Sequence, residues 1–130
     1  GLSDGGAHCG LICDASMPTY MLSHWARDRR RGPQFSLEYM VRKQTLDTAT
    51  LFGLSDRGVI SVGKKADVNV IDMKALNLDV PKMVYDLPAQ GRRLVQGALG
   101  YDATVVSGAV TRRFGADTGA RPGRLIRGVR

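Results

Sequence analysis

The feature that most constrains how this chain can fold is a change in the spacing of its apolar residues near residue 54. Before that point, apolar residues such as Met21, Leu22 and Trp25 recur at helical spacing and are expected to face a core. After it, short runs of β-branched residues alternate with glycine-containing turns, which is typical of strands. Two helices followed by several short strands predict an α/β chain, in which the end of one domain (residues 1–54) joins a small β-domain (residues 55–130).

Capping residues predict where the two helices begin and end. Ser16 precedes Met17-Pro18 as a helix start, because its side chain can accept a hydrogen bond from the first turn and proline is tolerated there. Gly32-Pro33 stops this helix. Ser36 is the predicted N-cap of the second helix, and Gly53 closes that helix as the glycine beyond its last turn.

The second part of the chain is expected to contain short strands. They are predicted at residues 59–62, 68–71 and 83–85. Gly108 lies between two further runs, 104–107 and 109–111, which predicts a hairpin. Residues 91–97 are expected to form a loop or a short helix, and the tail from Gly115 onward is expected to be extended or irregular.

The first residues contain a candidate functional group. Asp4 is followed directly by Gly5 and Gly6. Glycines permit a positive φ and let the backbone approach a ligand closely, so a carboxylate at the mouth of such a loop can be held beside a metal or a water. The alternative is that Asp4 only caps a turn, since Asp-Gly is a common turn signal.

The formal net charge of +7 raises the question of nucleic-acid binding. The basic residues include two separate groups, the run Arg27–Arg31 and a spaced tail that runs from Arg121 to Arg130. Aromatic residues make up only 6% of the chain and do not alternate with the arginines, as a protein that binds single strands would require. We therefore expect a solvated basic face, without nucleic acid as a partner.

Three features of the sequence bear on where the protein is located. No apolar run approaches the roughly 20 residues that span a bilayer, so no membrane partner is expected. The sequence opens with glycine and aspartate rather than with a basic segment and an apolar stretch, and no signal peptide is expected. A disulfide between Cys9 and Cys13 is possible but would close a very small ring, and this region offers too few ligands for zinc. Free thiols in a reducing cytosol are therefore predicted. These features predict a cytoplasmic protein.

Four segments carry a resemblance to a known family. They are Ser3-Asp4-Gly5, Val41-Arg42-Lys43-Gln44-Thr45 leading to Leu54, residues 56–72, and Thr118–Arg124. They resemble four parts of the enzymes of the amidohydrolase superfamily. In chain order, these parts are the end of the last barrel strand, the final barrel helix, the segment where the chain re-enters the β-domain, and the C-terminal tail. The branch that they resemble most is the N-acyl-D-amino-acid deacylase (D-aminoacylase) branch.

The resemblance implies a complete enzyme with a TIM-like barrel and a flanking β-sandwich. Residues 1–54 would be the C-terminal remnant of this metal-dependent hydrolase barrel, contributing the end of its last strand and two helices. Residues 55–130 would be the C-terminal part of the β-sandwich. Barrel enzymes place their catalytic residues at the C-terminal ends of strands, which is where Asp4 would stand.

The resemblance also implies a chemistry. In this family the aspartate, here Asp4, lies beside a zinc-bound water, takes its proton as the hydroxide attacks the amide carbonyl, and passes a proton to the leaving amine. Gly5 and Gly6 would let the loop pass close to an N-acyl-D-amino acid, and His8 would line the site or stabilise the loop. The products would be a D-amino acid and a free carboxylate.

The remaining metal ligands of the family, including a His-x-His pair, are missing, because the two histidines of the chain are His8 and His24. A barrel of about 250 residues also does not fit into a chain of 130. We therefore expect a fragment that binds no zinc and is inactive by itself, and that stays bound to the remainder of its own polypeptide or self-associates. Two alternatives remain open, namely a fragment of a cyclic-amide hydrolase resembling hydantoinase or dihydroorotase, and a non-catalytic β-rich interaction module.

Overall fold

The computed structural model describes residues 5–6 and 8–127, and it begins with a helical segment of mixed type. A 3₁₀ turn at Asp14–Ser16 leads into helix α1, Met17–Tyr20, which continues without a break as the π-helical segment Met21–Asp28. The helix start predicted around Ser16 is confirmed, although Ser16 caps nothing with its side chain. The chain then leaves the helix in an extended conformation at Arg29.

The second predicted helix is present but is divided into α2, Leu37–Gln44, and α3, Leu46–Leu51. Its predicted N-cap is confirmed, because the Ser36 hydroxyl accepts a hydrogen bond of 3.2 Å from a backbone N–H of the first turn. Its predicted end is also confirmed. Gly53 has a φ of +68°, and the N–H of Leu54 donates to the carbonyl of Ala49 at 2.8 Å, as in a Schellman motif.

The rest of the chain forms antiparallel sheets. The strands are β1 Val68–Ile71, β2 Asn77–Leu78, β3 Lys82–Leu87, β4 Gly91–Val95, β5 Ala98–Leu99, β6 Tyr101–Val106, β7 Ala109–Arg113 and β8 Ala116–Asp117. One sheet has four strands in the order β1-β6-β7-β8, and two further pairs are β2-β5 and β3-β4. The strand predicted at 68–71 and the hairpin around Gly108 are confirmed. Ser107 and Gly108 both have positive φ, which suits a two-residue hairpin turn.

The predictions for two segments, 59–62 and 91–97, were wrong. Residues 59–62 form no strand, because no neighbouring strand lies beside them, and the side chains of Ile60 and Val62 are 90% and 102% exposed. Residues 91–95 form strand β4 rather than a loop or a short helix, because β3 ends at Leu87, just before the turn at 88–90, and pairs with them. The predicted strand at 83–85 is part of β3. The tail is irregular as predicted, apart from the two residues of β8.

The core joins the helices to the strands. Leu22, Met40 and the fully buried Leu76 form one cluster, with partly buried side chains packed around it. The hydroxyls of Thr19 and Tyr101 are 2.7 Å apart and connect α1 to β6. The chain is therefore a mixed α/β structure in which the two predicted parts contact each other through one small core.

This core is small for a chain of this mass. Within the described part of the chain, four hydrophobic residues are buried, namely Leu22, Met40, Ala49 and Leu76. The accessible surface is 9730 Å². A compact monomer of this mass is expected to expose about 6,700 Å². The chain therefore leaves a large amount of surface uncovered. None of the helices in residues 5–6 and 8–127 has the length and apolar character needed to cross a bilayer.

Candidate functional site

The candidate site predicted from sequence lies in the opening loop, by which we mean residues 5, 6 and 8–13. Asp4, the predicted catalytic residue, lies outside the described residues. Gly5 and Gly6 are described, and both are required by the packing of the loop itself. A Cβ on Gly5 would lie 2.8 Å from the Cβ of Ala15, and a Cβ on Gly6 would lie 2.8 Å from the Sγ of Cys9. The loop thus folds tightly against the start of the first helical segment.

His8 follows in a turn and is exposed, in a loop that also holds two thiols. Cys9 and Cys13 are half-buried free cysteines, as predicted. His24 is located elsewhere, stacked on the ring of Tyr20 with centroids 4.8 Å apart. Within residues 5–6 and 8–127, the structure brings together no group of three or more His, Cys, Asp or Glu side chains that could hold a metal.

The structure places the β3-β4 hairpin beside the opening loop. The N–H of Leu94 in β4 donates to the carbonyl of Cys9 at 2.8 Å. The Nε of Arg92 lies 4.0 Å from the position that a Cβ on Gly10 would take. Ser16, just beyond the loop, donates its hydroxyl hydrogen to the Oε1 of Gln96 at 2.5 Å. Residues 92–96 therefore contribute to the surroundings of the candidate site.

Sequence analysis missed this contribution, because it treated 91–97 as a loop or a short helix. The available signal was the opposite charge of Asp86 and Arg93, which are seven positions apart. Arg93 binds the Asp86 carboxylate with two hydrogen bonds of 2.7 and 2.6 Å across the hairpin. Opposite charges that face each other across an antiparallel pair are typical of paired strands.

The charges of the hairpin are only partly balanced. The hydrogen bonds from Arg93 lower the pKa of Asp86 and, reciprocally, those to Asp86 raise the pKa of Arg93. Arg92 is exposed and makes no ion pair with any residue that the structure describes. Among the residues that the structure describes, this guanidinium beside the opening loop therefore has no carboxylate partner.

The basic run at the end of the first helical segment has local structural partners. Arg27 binds the carboxylate of Asp28 with two hydrogen bonds of 2.7 Å and also donates to the carbonyl of Met73. The hydrogen bond from Arg27 lowers the pKa of Asp28. The guanidinium carbon of Arg29 lies 4.4 Å from the centroid of the Trp25 ring. Residues 28–31 and His24 line an open concavity of about 530 Å³.

Comparison with known proteins links the chain to one family. A family model described as the amidohydrolase family matches residues 1–112. The match includes the opening loop, the helices and the β3-β4 hairpin, and it ends within β7. No curated protein and no solved structure matches the chain.

Proposed function

The chain belongs to the amidohydrolase family, and on that premise we propose that it is part of a hydrolase that cleaves the amide bond of N-acyl-D-amino acids. The observation that carries the proposal is the family match over residues 1–112, which spans the opening loop. The choice of substrate is supported by the order of the four segments that resemble the D-aminoacylase branch. Residues 118–124, the last of these segments, lie beyond the match.

In the proposed reaction, the oxygen of a water attacks the amide carbonyl carbon and the bond from that carbon to nitrogen breaks. Asp4 takes a proton from the attacking water and delivers it to the leaving nitrogen, so that one carboxylate serves as base and then as acid. The products are a carboxylate and a D-amino acid. Gly5, Gly6 and His8 would form the loop that carries Asp4 to the substrate.

We propose zinc as the cofactor of the complete enzyme, with ligands from outside the described residues. The described part of the chain does not fit a zinc site, because it brings no three ligating side chains together. We propose that the chain alone binds no zinc and has no activity. Asp4 is proposed to lie adjacent to the metal in the complete enzyme. The free thiols of Cys9 and Cys13 support a reducing compartment, and we assign the enzyme to the cytoplasm.

The large accessible surface of the chain supports the proposal that it has a partner. The accessible area of 9730 Å² exceeds the value for a compact monomer by about 3,000 Å², whereas a standard interface buries about 800 Å² on each partner. Large apolar side chains that are at least 70% exposed include Leu11, Leu51, Phe52, Ile60, Val62, Val80, Phe114 and Leu125. We propose that the remainder of the same polypeptide covers this surface, and that the isolated chain self-associates in its absence.

One face of the four-stranded sheet supports the proposed division into domains. The register places Val68 opposite Val105 and Val70 opposite Ala103, so these apolar side chains share a face that continues to Val110. None of these five side chains, those of Val68, Val70, Ala103, Val105 and Val110, is buried. A sheet with an apolar face needs a second layer to cover it. We therefore propose that residues 55–130 supply the C-terminal part of a β-sandwich and residues 1–54 the end of a TIM-like barrel.

The catalytic proposal is tested by Asp4→Asn in the full-length protein, with Asp14→Asn as the matched control. Asp14 is an exposed carboxylate ten residues further along the chain. We expect Asp4→Asn to lower the hydrolysis of an N-acetyl-D-amino acid at least about 100-fold while the zinc content is largely retained. The control should keep wild-type rates. Equal rates for Asp4→Asn and wild type would refute the role of Asp4.

The same assay distinguishes the two alternatives. Hydrolysis of hydantoin or dihydroorotate, without hydrolysis of N-acetyl-D-amino acids, would assign the chain to a cyclic-amide hydrolase. A non-catalytic β-rich interaction module would hydrolyse none of these compounds, and Asp4→Asn would change nothing. The partner proposal has a separate test, namely light scattering of the 130-residue chain. A monodisperse monomer with no bound partner would contradict it.

A further inference from the structure

The open concavity at the end of the first helical segment has the dimensions of a ligand site. Its volume is about 530 Å³, and it is lined by His24 and residues 28–31. Sites for small molecules typically have volumes of about 300–1,000 Å³. The concavity is therefore large enough for one small ligand, and the charge of its lining decides which class of ligand it favours.

The lining of the concavity is strongly positive. The one carboxylate among the lining residues is that of Asp28, and Arg27 neutralises it with two hydrogen bonds of 2.7 Å. The other charged lining residues are Arg29, Arg30 and Arg31, which form no ion pair within the described part of the chain. Three guanidinium groups therefore face one concavity with their positive charges uncompensated by described residues, so the concavity favours a ligand with more than one negative charge.

Arg29 is the most firmly positioned of these three groups. Its guanidinium carbon lies 4.4 Å from the centroid of the Trp25 ring, and its Nε donates to the carbonyl of Arg31 at 2.6 Å. Its Nη2 lies 2.9 Å from the position that a Cβ on Gly32 would take, so a side chain there would displace the guanidinium. Among described residues, Nε is the one atom of this group that donates a hydrogen bond. The two terminal nitrogens therefore keep their donors for a ligand, and the ordered group loses little conformational freedom on binding.

Hydrogen bonds also hold the backbone that carries the three arginines. The side-chain amide of Gln34 donates to the carbonyl of Arg27 at 2.7 Å and to that of Arg29 at 3.0 Å. The N–H of Phe35 donates to the carbonyl of Trp25 at 3.1 Å. The chain thus returns to the helical segment directly after the arginines, and this closed loop sets the spacing between them.

We propose that this concavity binds the phosphate group of a small molecule. A phosphate monoester has a charge of about −1.5 to −2 at neutral pH and presents three acceptor oxygens, which suits neighbouring guanidinium groups better than the single charge of a carboxylate. Guanidinium groups bind phosphate oxygens through two parallel hydrogen bonds. Single-stranded nucleic acid fits less well, because its bases stack on open aromatic faces and Arg29 covers one face of Trp25.

Calorimetric titration of the full-length protein with inorganic phosphate, glycerol phosphate and acetate tests the proposal. We expect both phosphate compounds to bind at one site per chain, at least about 10-fold more tightly than acetate, and the tighter of the two to identify free or esterified phosphate as the ligand. Arg29→Gln should raise the dissociation constant by about 10- to 100-fold, because a charge-assisted pair at an ordered group is lost. Arg31→Gln, which removes an exposed and less ordered group, should raise it by about two- to fivefold.

The matched control is Arg113→Gln, which removes an exposed arginine of β7 that has no ion pair among the described residues. It should leave the dissociation constant unchanged. Arg29→Lys should recover part of the affinity lost in Arg29→Gln, since it restores the charge but not the fork of donors.

Three results would overturn the inference. Equal weakening by Arg29→Gln and Arg113→Gln would show diffuse attraction to the net charge of +7 instead of a site. Acetate binding as tightly as phosphate would exclude the phosphate class, and the absence of saturable binding would exclude the site. Because Arg29 packs on Trp25, urea unfolding checks that Arg29→Gln is folded. If that variant does not fold, Arg31→Gln decides, and an unchanged dissociation constant in Arg31→Gln would overturn the inference.

Discussion

Gly100 provides a sharp test of how the core joins β6 to the rest of the chain. It lies directly before β6 with a φ of +87°, a conformation that side chains other than glycine adopt with strain. A Cβ added there would lie 2.6 Å from the Cα of Leu76, 2.7 Å from its N and 2.9 Å from the carbonyl oxygen of Asp72. Leu76 is the fully buried centre of the core, so these atoms cannot move without disturbing it.

The expected magnitude of Gly100→Ala follows from two contributions. The left-handed backbone costs about 1 kcal/mol for alanine. Relief of the overlap with backbone atoms costs a further ~1–3 kcal/mol, as for other overpacked cores. The sum of about 2–4 kcal/mol is a large part of the 5–15 kcal/mol by which domains are typically stable.

Gly108→Ala is the matched control. Gly108 has nearly the same φ, +82°, but an added Cβ would meet no atom within 4 Å. The Gly108→Ala variant should therefore be destabilised only by the backbone strain, which is about 1 kcal/mol. Urea unfolding of both variants and the wild-type protein, with unchanged m-values, measures the difference. An equal loss of unfolding free energy in the two variants would refute the reasoning, because it would show that Gly100 makes no close contact with Leu76.

Two further predictions concern local interactions. Arg121, and to a smaller extent the N–H of Gly119, hold the pKa of Asp117 at about 2, below its usual 3.8. The ion pair therefore stabilises the folded state above about pH 4, and this stabilisation is lost as the pH falls towards 2. In Arg121→Gln, a carbon NMR titration should show the pKa of Asp117 moving back towards about 4. Ser36→Ala should lower the free energy of unfolding by about 1 kcal/mol through loss of the N-cap, whereas Ser61→Ala, at an exposed loop position, should leave urea unfolding unchanged.

Local signals predicted the helical part of the chain and one hairpin. Ser36 and Gly53 bound the second helix as expected, because each acts through hydrogen bonds to residues only a few positions away. Gly108 terminates β6 for the same reason, since its turn spans two residues. The sequence could not show that the second helix divides at Thr45, whose φ of −122° and ψ of −85° interrupt it.

The candidate site was predictable only in part. Gly5 and Gly6 were chosen for a close approach to a ligand, and the structure shows that packing against Ala15 and Cys9 already requires them. Asp4 stays a prediction, because it lies outside the described residues. The position of Arg92 beside Gly10 has no local signal, since it depends on contact between segments about eighty residues apart.

The sequence by itself determined the features that neighbouring residues create, namely the caps, the helix ends, the hairpin turn and the membership of the amidohydrolase family. Tertiary structure alone decided which apolar runs became strands. Residues 59–62 have the local character of a strand and residues 91–95 do not, yet only the second run found a partner, in β3. The physical reason is that a strand completes its backbone hydrogen bonds through another segment, and the location of that segment is not encoded in the strand's own residues.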